Sequence, residues 1–488
     1  MACLAFAGVG TARAAEQVVS SEARTAAAPK PYGPIPTARQ LKWHQMEFYG
    51  FVHFTVNTFT DKEWGYGDES ESVFNPTDFD ADQIAGTAKD AGMKGLILTA
   101  KHHDGFCLWP SQYTEHSVKR SPWRDGKGDV VRELSAACRK AGIKFGVYLS
   151  PWDRNHKDYG RPEYVTYYRN QLRELLTNYG ELFTVWFDGA NGGDGYYGGA
   201  REMRRIDSRT YYDWENTWRI VRELQPGAAM FSDIGPDFRW VGNEEGIAGD
   251  PCWSTLNLEG RYLGGPVPGL NSGERRGTHW VPAECDVSIR PGWFYHAQED
   301  DKVKTPDELL NIYYASVGRG CCLNLNLPPD HRGRIHENDI KSLRAFRRIL
   351  DATFASDLAK NAKITASHTR QNDPRFAAQN LADGQSDTYW ATADGARGPE
   401  VVLNFEKPVT LNVVRLREYL PLGQRITVFS LDAWREGEWR EFYKGTSIGS
   451  QRLIRTRNIT TSQVRLRIVR AAVCPAIAEL GVFLEPDR

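Results

Sequence analysis

From about residue 40 to residue 352 one pattern recurs: an amphipathic helical stretch ends near a glycine, and a short apolar run follows. A helix over 82–91 leads into LILTAKHH, one over 129–141 into FGVYLSPW, one over 163–179 into LFTVWFDG and one over 214–224 into AAMFSDIG. Strands alternating with helices of this length predict parallel βαβ units. The runs are near-continuously apolar, as expected where helices cover a sheet. Four consecutive units, with strand-like segments before and after them, predict an α/β fold of (β/α)8-like, TIM-type barrel form over 40–355. A helix over 342–354 closes it. No G-x-G-x-x-G follows any of these strands, which removes the dinucleotide-binding alternative.

Near Asp357 the period changes. VVLNF, LNVVRL, ITVFSLDAW, QVRLRIV and LGVFLE are short alternating strands separated by turn residues. They predict an all-β sandwich over 358–486. The chain therefore divides into a barrel and a sandwich, which suits its 488 residues.

Composition narrows the function class. With 61 basic and 62 acidic residues spread evenly, no basic patch or arm is present, so a nucleic-acid partner is not expected. The 15 Trp and 12% aromatic content suit large cores and also suit sugar binding, because flat rings pack on the C–H faces of sugars. No run of about 18 apolar residues follows the N-terminus, so no membrane span is expected. The opening MACLAFAGVGTARAAEQ ends an apolar run in small residues, which reads as the remnant of a secretory signal over 1–15 and predicts a periplasmic or secreted protein. The eight cysteines form no C-x-x-C pair, so neither a zinc site nor a disulfide framework is expected. Cys107, Cys252 and Cys321 read as buried small residues, and a single Cys252–Cys285 bridge is compatible with the spacing.

In barrels of this kind the chemistry sits at the C-terminal ends of the strands. There the chain carries His102 and His103, Trp152 and Asp153, Asp188, and Asp233. Asp188, directly after a Trp-Phe strand, is the strongest candidate, since a carboxylate there would be costly in a core unless paired. A structural Asp capping the next segment is the plainer reading. Glycoside hydrolysis usually needs a second carboxylate about 5–5.5 Å away in retaining enzymes. RWVGNEEG offers Glu244 and Glu245, and ECDVSIRPGWFYH offers Glu284 and Asp286; spacing does not choose among them, and a plain surface residue is the alternative for each. His102 and His103 are adjacent, so on a strand they would face opposite ways. Sugar hydroxyls suit them better than a shared metal, and a buried structural pair is the alternative. His53, Glu63 and Trp64 add polar and aromatic groups near the first strand.

FVHF, EWGYG, KHHDGF, VWFDG, GNEEG and REYLPLGQRI, in this order, resemble the α-L-fucosidases of glycoside hydrolase family 29 over about 40–486. The GNEEG and GWFYH forms resemble the subgroup acting on α-1,3/1,4-linked fucose of Lewis-type glycans. The resemblance implies an exo-acting retaining hydrolase that needs no cofactor for catalysis and takes fucosylated oligosaccharides or glycoconjugates. It implies Asp188 as nucleophile and Glu244 as acid/base, with Glu245 as its substitute. It further implies His53, His102 and His103 on the fucose hydroxyls, Glu63 and Trp64 at the axial hydroxyl, and Tyr148 with Trp152 as pocket aromatics. Phe51 and Trp293 would enclose the C5 methyl, and Arg290 would face the aglycone. The sandwich resembles discoidin-like modules, among them family 32 carbohydrate-binding modules. Asp383, Asp387, Thr388 and Glu479 match positions that hold a structural Ca²⁺ in such modules, and oxygen ligands suit that ion. A glycan-binding protein that has lost catalysis, or a barrel glycosidase of another sugar specificity, are the competing expectations.

Overall fold

The computed structural model describes residues 1–2, 26–265 and 268–486, so the signal expected over 1–15 lies almost wholly outside the described residues. Eight strands form the first sheet: β1 (Phe48–Val52), β2 (Gly95–Lys101), β3 (Lys144–Leu149), β4 (Thr184–Trp186), β5 (Ala229–Phe231), β6 (Arg239–Trp240), β7 (Ala283–Ser288) and β8 (Cys322–Asn326). Their order is β5-β4-β3-β2-β1-β8-β7-β6, and every pairing is parallel. A parallel bridge between Phe231 and Phe238 ties the two outermost strands together, so the sheet curls into a nearly closed barrel.

The helices between the strands begin and end where their terminal chemistry dictates. Asp80 accepts from the Gln83 amide at the start of Ala81–Asp90, and Asp129 from the Arg132 amide at the start of Val130–Ala141. Each satisfies a backbone donor that the first turn leaves free. Val130–Ala141 ends at Gly142, whose φ of 76° is the left-handed conformation that glycine adopts without strain. The last barrel helix runs Glu337–Phe354, starting earlier than the sequence pattern indicates.

Strand alternation sorts the barrel side chains into two cores. Leu96 and Leu98, Phe145 and Val147, and Val185 and Phe187 pack outward against the helices. Residues adjacent to them on the strands, Ile97, Tyr148 and Trp186, face inward with Tyr49, Phe51 and Phe231. Successive residues on a strand point to opposite faces. Asp188, two residues beyond Trp186, is therefore on the inward face at the strand's end.

Beyond the last helix the chain forms β9 (Lys363–Ala366), β10 (Trp390–Ala391), β11 (Glu400–Glu418), β12 (Ile426–Arg435), β13 (Glu438–Gly445), β14 (Arg452–Ala471) and β15 (Ala476–Phe483). All pair antiparallel, in the order β10-β15-β11-β14-β12-β13, with β9 beside β11. Alternate residues such as Val401 and Leu403, Phe429 and Leu431, and Val464 and Leu466 fill its own apolar core. The sandwich is bonded to the barrel: Arg417 pairs with Glu47 at 2.6 Å, and the Ser254 and Cys252 amides donate to Gln424 and Ser447 at 2.8 and 3.1 Å.

Cys107, Cys252 and Cys321 are buried, as their sequence contexts indicate. The Cys252–Cys285 bridge is not formed: both thiols are free, and the neighbour of Cys252 is Cys321, with the two sulfurs 3.5 Å apart.

Candidate active site

A cavity of about 270 Å³ opens at the C-terminal ends of the strands. Asp188 and Glu244 both line it, together with His53, His102, His103, Tyr148, Phe51, Trp64 and Trp293. Most of these come from β1, β2, β3, β4 and the loops that follow them. The sequence motifs therefore meet in one place, although they are spread over more than two hundred residues.

Asp188 is held on both oxygens. Its Oδ2 accepts from the Tyr148 hydroxyl at 3.0 Å, and its Oδ1 from the Ala190 amide at 2.7 Å. His103 Nε2 stands 4.0 Å from Oδ2. Burial raises the Tyr148 hydroxyl far above the usual phenol range, and the Asp188 charge raises it further, so Tyr148 remains a donor. Glu244 is exposed at the rim, where its Oε2 accepts from the Trp293 indole at 3.0 Å.

The three histidines are buried and neutral. Burial brings His53 down to about 3 and lowers His102 well below its ordinary value. Burial also lowers His103, although Asp188 opposes it. A neutral imidazole has one donor and one acceptor nitrogen, a combination that matches a hydroxyl. His53 Nδ1 is engaged by Asn326 at 2.8 Å and His103 Nδ1 by Ser150 at 2.7 Å. His102 Nδ1 is buried without a hydrogen-bond partner among the described residues. The expectation that His102 and His103 face opposite ways fails. β2 ends at Lys101, so the pair lies in the turn beyond it, with ring centres 4.1 Å apart and both rings in the cavity wall.

Other expected residues stand behind the wall. Trp152 is buried and does not line the cavity; it donates to the Tyr197 hydroxyl at 3.0 Å and backs His103 and Trp64. Glu63 takes the Trp293 and Phe294 amides at 2.8 and 3.1 Å, fixing the loop that carries Trp293. Asp153 forms a buried ion pair with Lys101 at 3.0 Å. Arg290 requires a correction. It is fully buried, paired with Asp339 at 3.0 Å and Asp300 at 2.9 Å, and does not line the cavity. Among the acid/base candidates, Glu245 is exposed outside the cavity, and Glu284 is buried beneath it. Glu284 accepts from Tyr49, from Trp186 at 2.8 Å and from Asn324 at 3.3 Å. Asp286 does line the cavity, and burial together with Glu284 raises its carboxyl well above the usual range.

Asp233, expected among the polar residues at the strand ends, also lines the cavity, as do Trp186, Phe231 and Trp240, to which sequence reasoning assigns no role there. Trp186 stacks on Phe231 with centroids 3.9 Å apart. Burial and the neighbouring Asp188 raise Asp233 to about 6. The period-2 spacing of Trp186 and Asp188 is the available signal for Trp186.

No cation set forms at the positions expected for calcium. Glu479 turns both oxygens to arginines, one to Arg415 and the other to Arg417 at 3.1 Å. Asp383 takes the Gln385 amide at 2.8 Å and the Thr388 hydroxyl at 2.7 Å, while Asp387 is exposed. These residues do not fit a structural calcium, because a carboxylate already neutralised by two guanidiniums contributes little to a divalent ion.

Comparison with known proteins agrees with this geometry. Residues 32–353 match the family model described as alpha-L-fucosidase, and residues 363–480 match the F5/8 type C domain. The chain is 43% identical over 475 residues to alpha-L-fucosidase 1 of Arabidopsis thaliana, covering 96% of this chain and 91% of that protein. It is similar to the crystal structure of a glycoside hydrolase 29 family member from an unknown rumen bacterium. There the TM-score is 0.83 at 46% identity, over 94% of this chain and 79% of that one. A Ruminococcus gnavus GH29 fucosidase in complex with fucose superposes with a TM-score of 0.84 at 32% identity, over 95% of this chain and 98% of that one. Barrel, cavity and sequence together make this chain a member of the α-L-fucosidase family, glycoside hydrolase family 29, with a discoidin-like F5/8 type C domain after its barrel.

Proposed function

We propose that the chain is an exo-acting, retaining α-L-fucosidase that releases terminal α-1,3/1,4-linked fucose from Lewis-type glycans outside the cytoplasm. The carrying observation is that Asp188 and Glu244 face one cavity of monosaccharide size, walled by neutral histidines and aromatic rings. Asp188 attacks the anomeric carbon while Glu244 protonates the departing glycosidic oxygen. In the second half, Glu244 removes a proton from water, which displaces Asp188 from the fucosyl ester. His53, His102 and His103 meet the hydroxyls. A site built to hydrogen-bond a hydroxyl rejects analogues that lack it far more strongly than an apolar wall rejects a methylene. Phe51 and Trp293 supply that apolar wall for the C5 methyl, and Trp64 closes the open side. The fucose-bound R. gnavus relative supports this choice of sugar.

The test is release of fucose from α-1,2-, α-1,3-, α-1,4- and α-1,6-linked substrates, with Asp188→Ala as control. Turnover confined to the α-1,3 and α-1,4 linkages is expected, with azide rescuing Asp188→Ala as a fucosyl azide of inverted configuration. Comparable turnover on all four linkages would overturn the linkage assignment, and an azide of unchanged configuration would overturn the nucleophile.

A further inference from the structure

The cavity rim contains a chain of contacts that starts outside the cavity. His296 Nδ1 lies 2.5 Å from Asp61 Oδ1, and its Nε2 lies 2.7 Å from Glu63 Oε1. With a carboxylate on each nitrogen, only the doubly protonated ring can donate to both. Glu63 in turn accepts the Trp293 and Phe294 amides, at 2.8 and 3.1 Å. The Trp293 indole donates to Glu244 at 3.0 Å. Gly292 sits close against this chain: a Cβ there would lie 2.6 Å from Glu63 Oε1 and 2.9 Å from the His296 ring.

We propose that His296 is a positioning residue for hydrolysis: by bridging Asp61 and Glu63 it fixes the Trp293–Phe294 backbone, so that the Trp293 indole holds Glu244 in place at the cavity. The proposal rests on reading Glu244 as the acid/base. His296 touches neither substrate nor reacting atoms; it acts through Glu63 and Trp293. Its charge is part of the device. Burial pulls its pKa down, but Asp61 and Glu63 raise it past its ordinary value. Other titratable groups on or against this loop are Glu299, which accepts the Gly292 amide at 3.1 Å, His331, which acts on Asp61, and Asp300, which takes Arg290 at 2.9 Å and the Tyr295 hydroxyl at 3.2 Å and has His336 at 3.5 Å. As pH rises through the His296 pKa, the bridge loses a donor and the clamp loosens.

The experiment compares His296→Gln and Trp293→Phe with the unmodified enzyme on two substrates, an aryl α-L-fucoside with an activated phenol and a fucosyl disaccharide with a sugar leaving group. Loss of one charge-assisted hydrogen bond corresponds to about tenfold or more. A kcat loss of about tenfold is therefore expected for His296→Gln on the disaccharide, with a much smaller loss on the aryl fucoside. Its alkaline limb of kcat/KM should move relative to the unmodified enzyme. The double variant should be no worse on the disaccharide than Trp293→Phe alone. Equal losses on both substrates with an unmoved alkaline limb, or multiplying losses in the double variant, overturn the proposal. Glu244→Gln is run alongside. If it shows no leaving-group dependence, the acid/base reading fails. If it does and His296→Gln does not, only the positioning role falls.

Discussion

The Tyr148 hydroxyl donates to Asp188 Oδ2 across 3.0 Å, joining the end of one barrel strand to the carboxylate just beyond the next. β3 and β4 pair in parallel with Tyr148 opposite Trp186, so the sheet register itself brings this phenol beside a carboxylate two residues further on. A hydrogen bond to a charged group is worth about 1.5–3 kcal/mol. Tyr148→Phe should therefore lower kcat by about ten- to a hundredfold on an aryl fucoside while the melting temperature changes little. An unchanged kcat would show that this bond does not orient the nucleophile.

Glu244 carries a different signature. Protonating the departing oxygen matters most when that oxygen is a poor leaving group. Glu244→Ala should reduce turnover of disaccharides far more than that of activated phenyl fucosides. Equal loss on both would move the acid role to Asp286, the other acid/base candidate that reaches the cavity.

Arg290 separates stability from selectivity. Its guanidinium is buried against Asp339, which is buried too. Removing one partner of a buried pair costs about 3–5 kcal/mol, because the other charge remains uncompensated. Arg290→Ala should lower the denaturant midpoint accordingly and leave the preference among aglycones unchanged in whatever enzyme remains folded. A shifted aglycone preference with a normal midpoint would restore it to the site.

Glu418 makes stability depend on pH. It is buried, and burial raises it to about 7 although it accepts the Arg425, Ile426 and Gly449 amides. Between the unfolded value near 4.5 and about 7, the folded chain keeps a proton that the unfolded chain has lost. Its contribution to stability is therefore full below that window and declines across it, by about 3 kcal/mol in all. Glu418→Gln cannot titrate. Whatever its absolute stability, the variant should gain on the unmodified protein as pH rises from about 4.5 to about 7, as read by denaturant melts. A constant difference across that range would contradict the raised pKa.

Much of the site is legible in the sequence, and the reason is periodicity. A polar residue at the end of an apolar strand is conspicuous, and Asp188, His102 and His103 are all of that kind. What escapes depends on closure of the sheet. Phe231 joins the lining because β5 turns toward β6 and brings its ring over Trp186. The place of Arg290 is hidden because its partner, Asp339, is 49 residues further on, and nothing local to SIRPGW reveals that pairing. Glu479 is opaque for the same reason: its arginines lie on the neighbouring strand β11. Alternation locates a side chain on a face, but pairing between distant charges is a property of the assembled chain.

The amides of Cys252 and Ser254 end on Ser447 and Gln424 of the sandwich, and the same loop continues to Gly264, whose amide donates to Asp233 in the cavity wall at 3.1 Å. One side of the catalytic pocket is thus anchored on a domain that contributes no residue to its lining. Cutting the chain after the last barrel helix would leave Asp188 and the histidines around it in the barrel yet remove the partners that hold that wall. Removing the sandwich is therefore expected to lower activity through that wall, whether or not the sandwich ever touches a sugar.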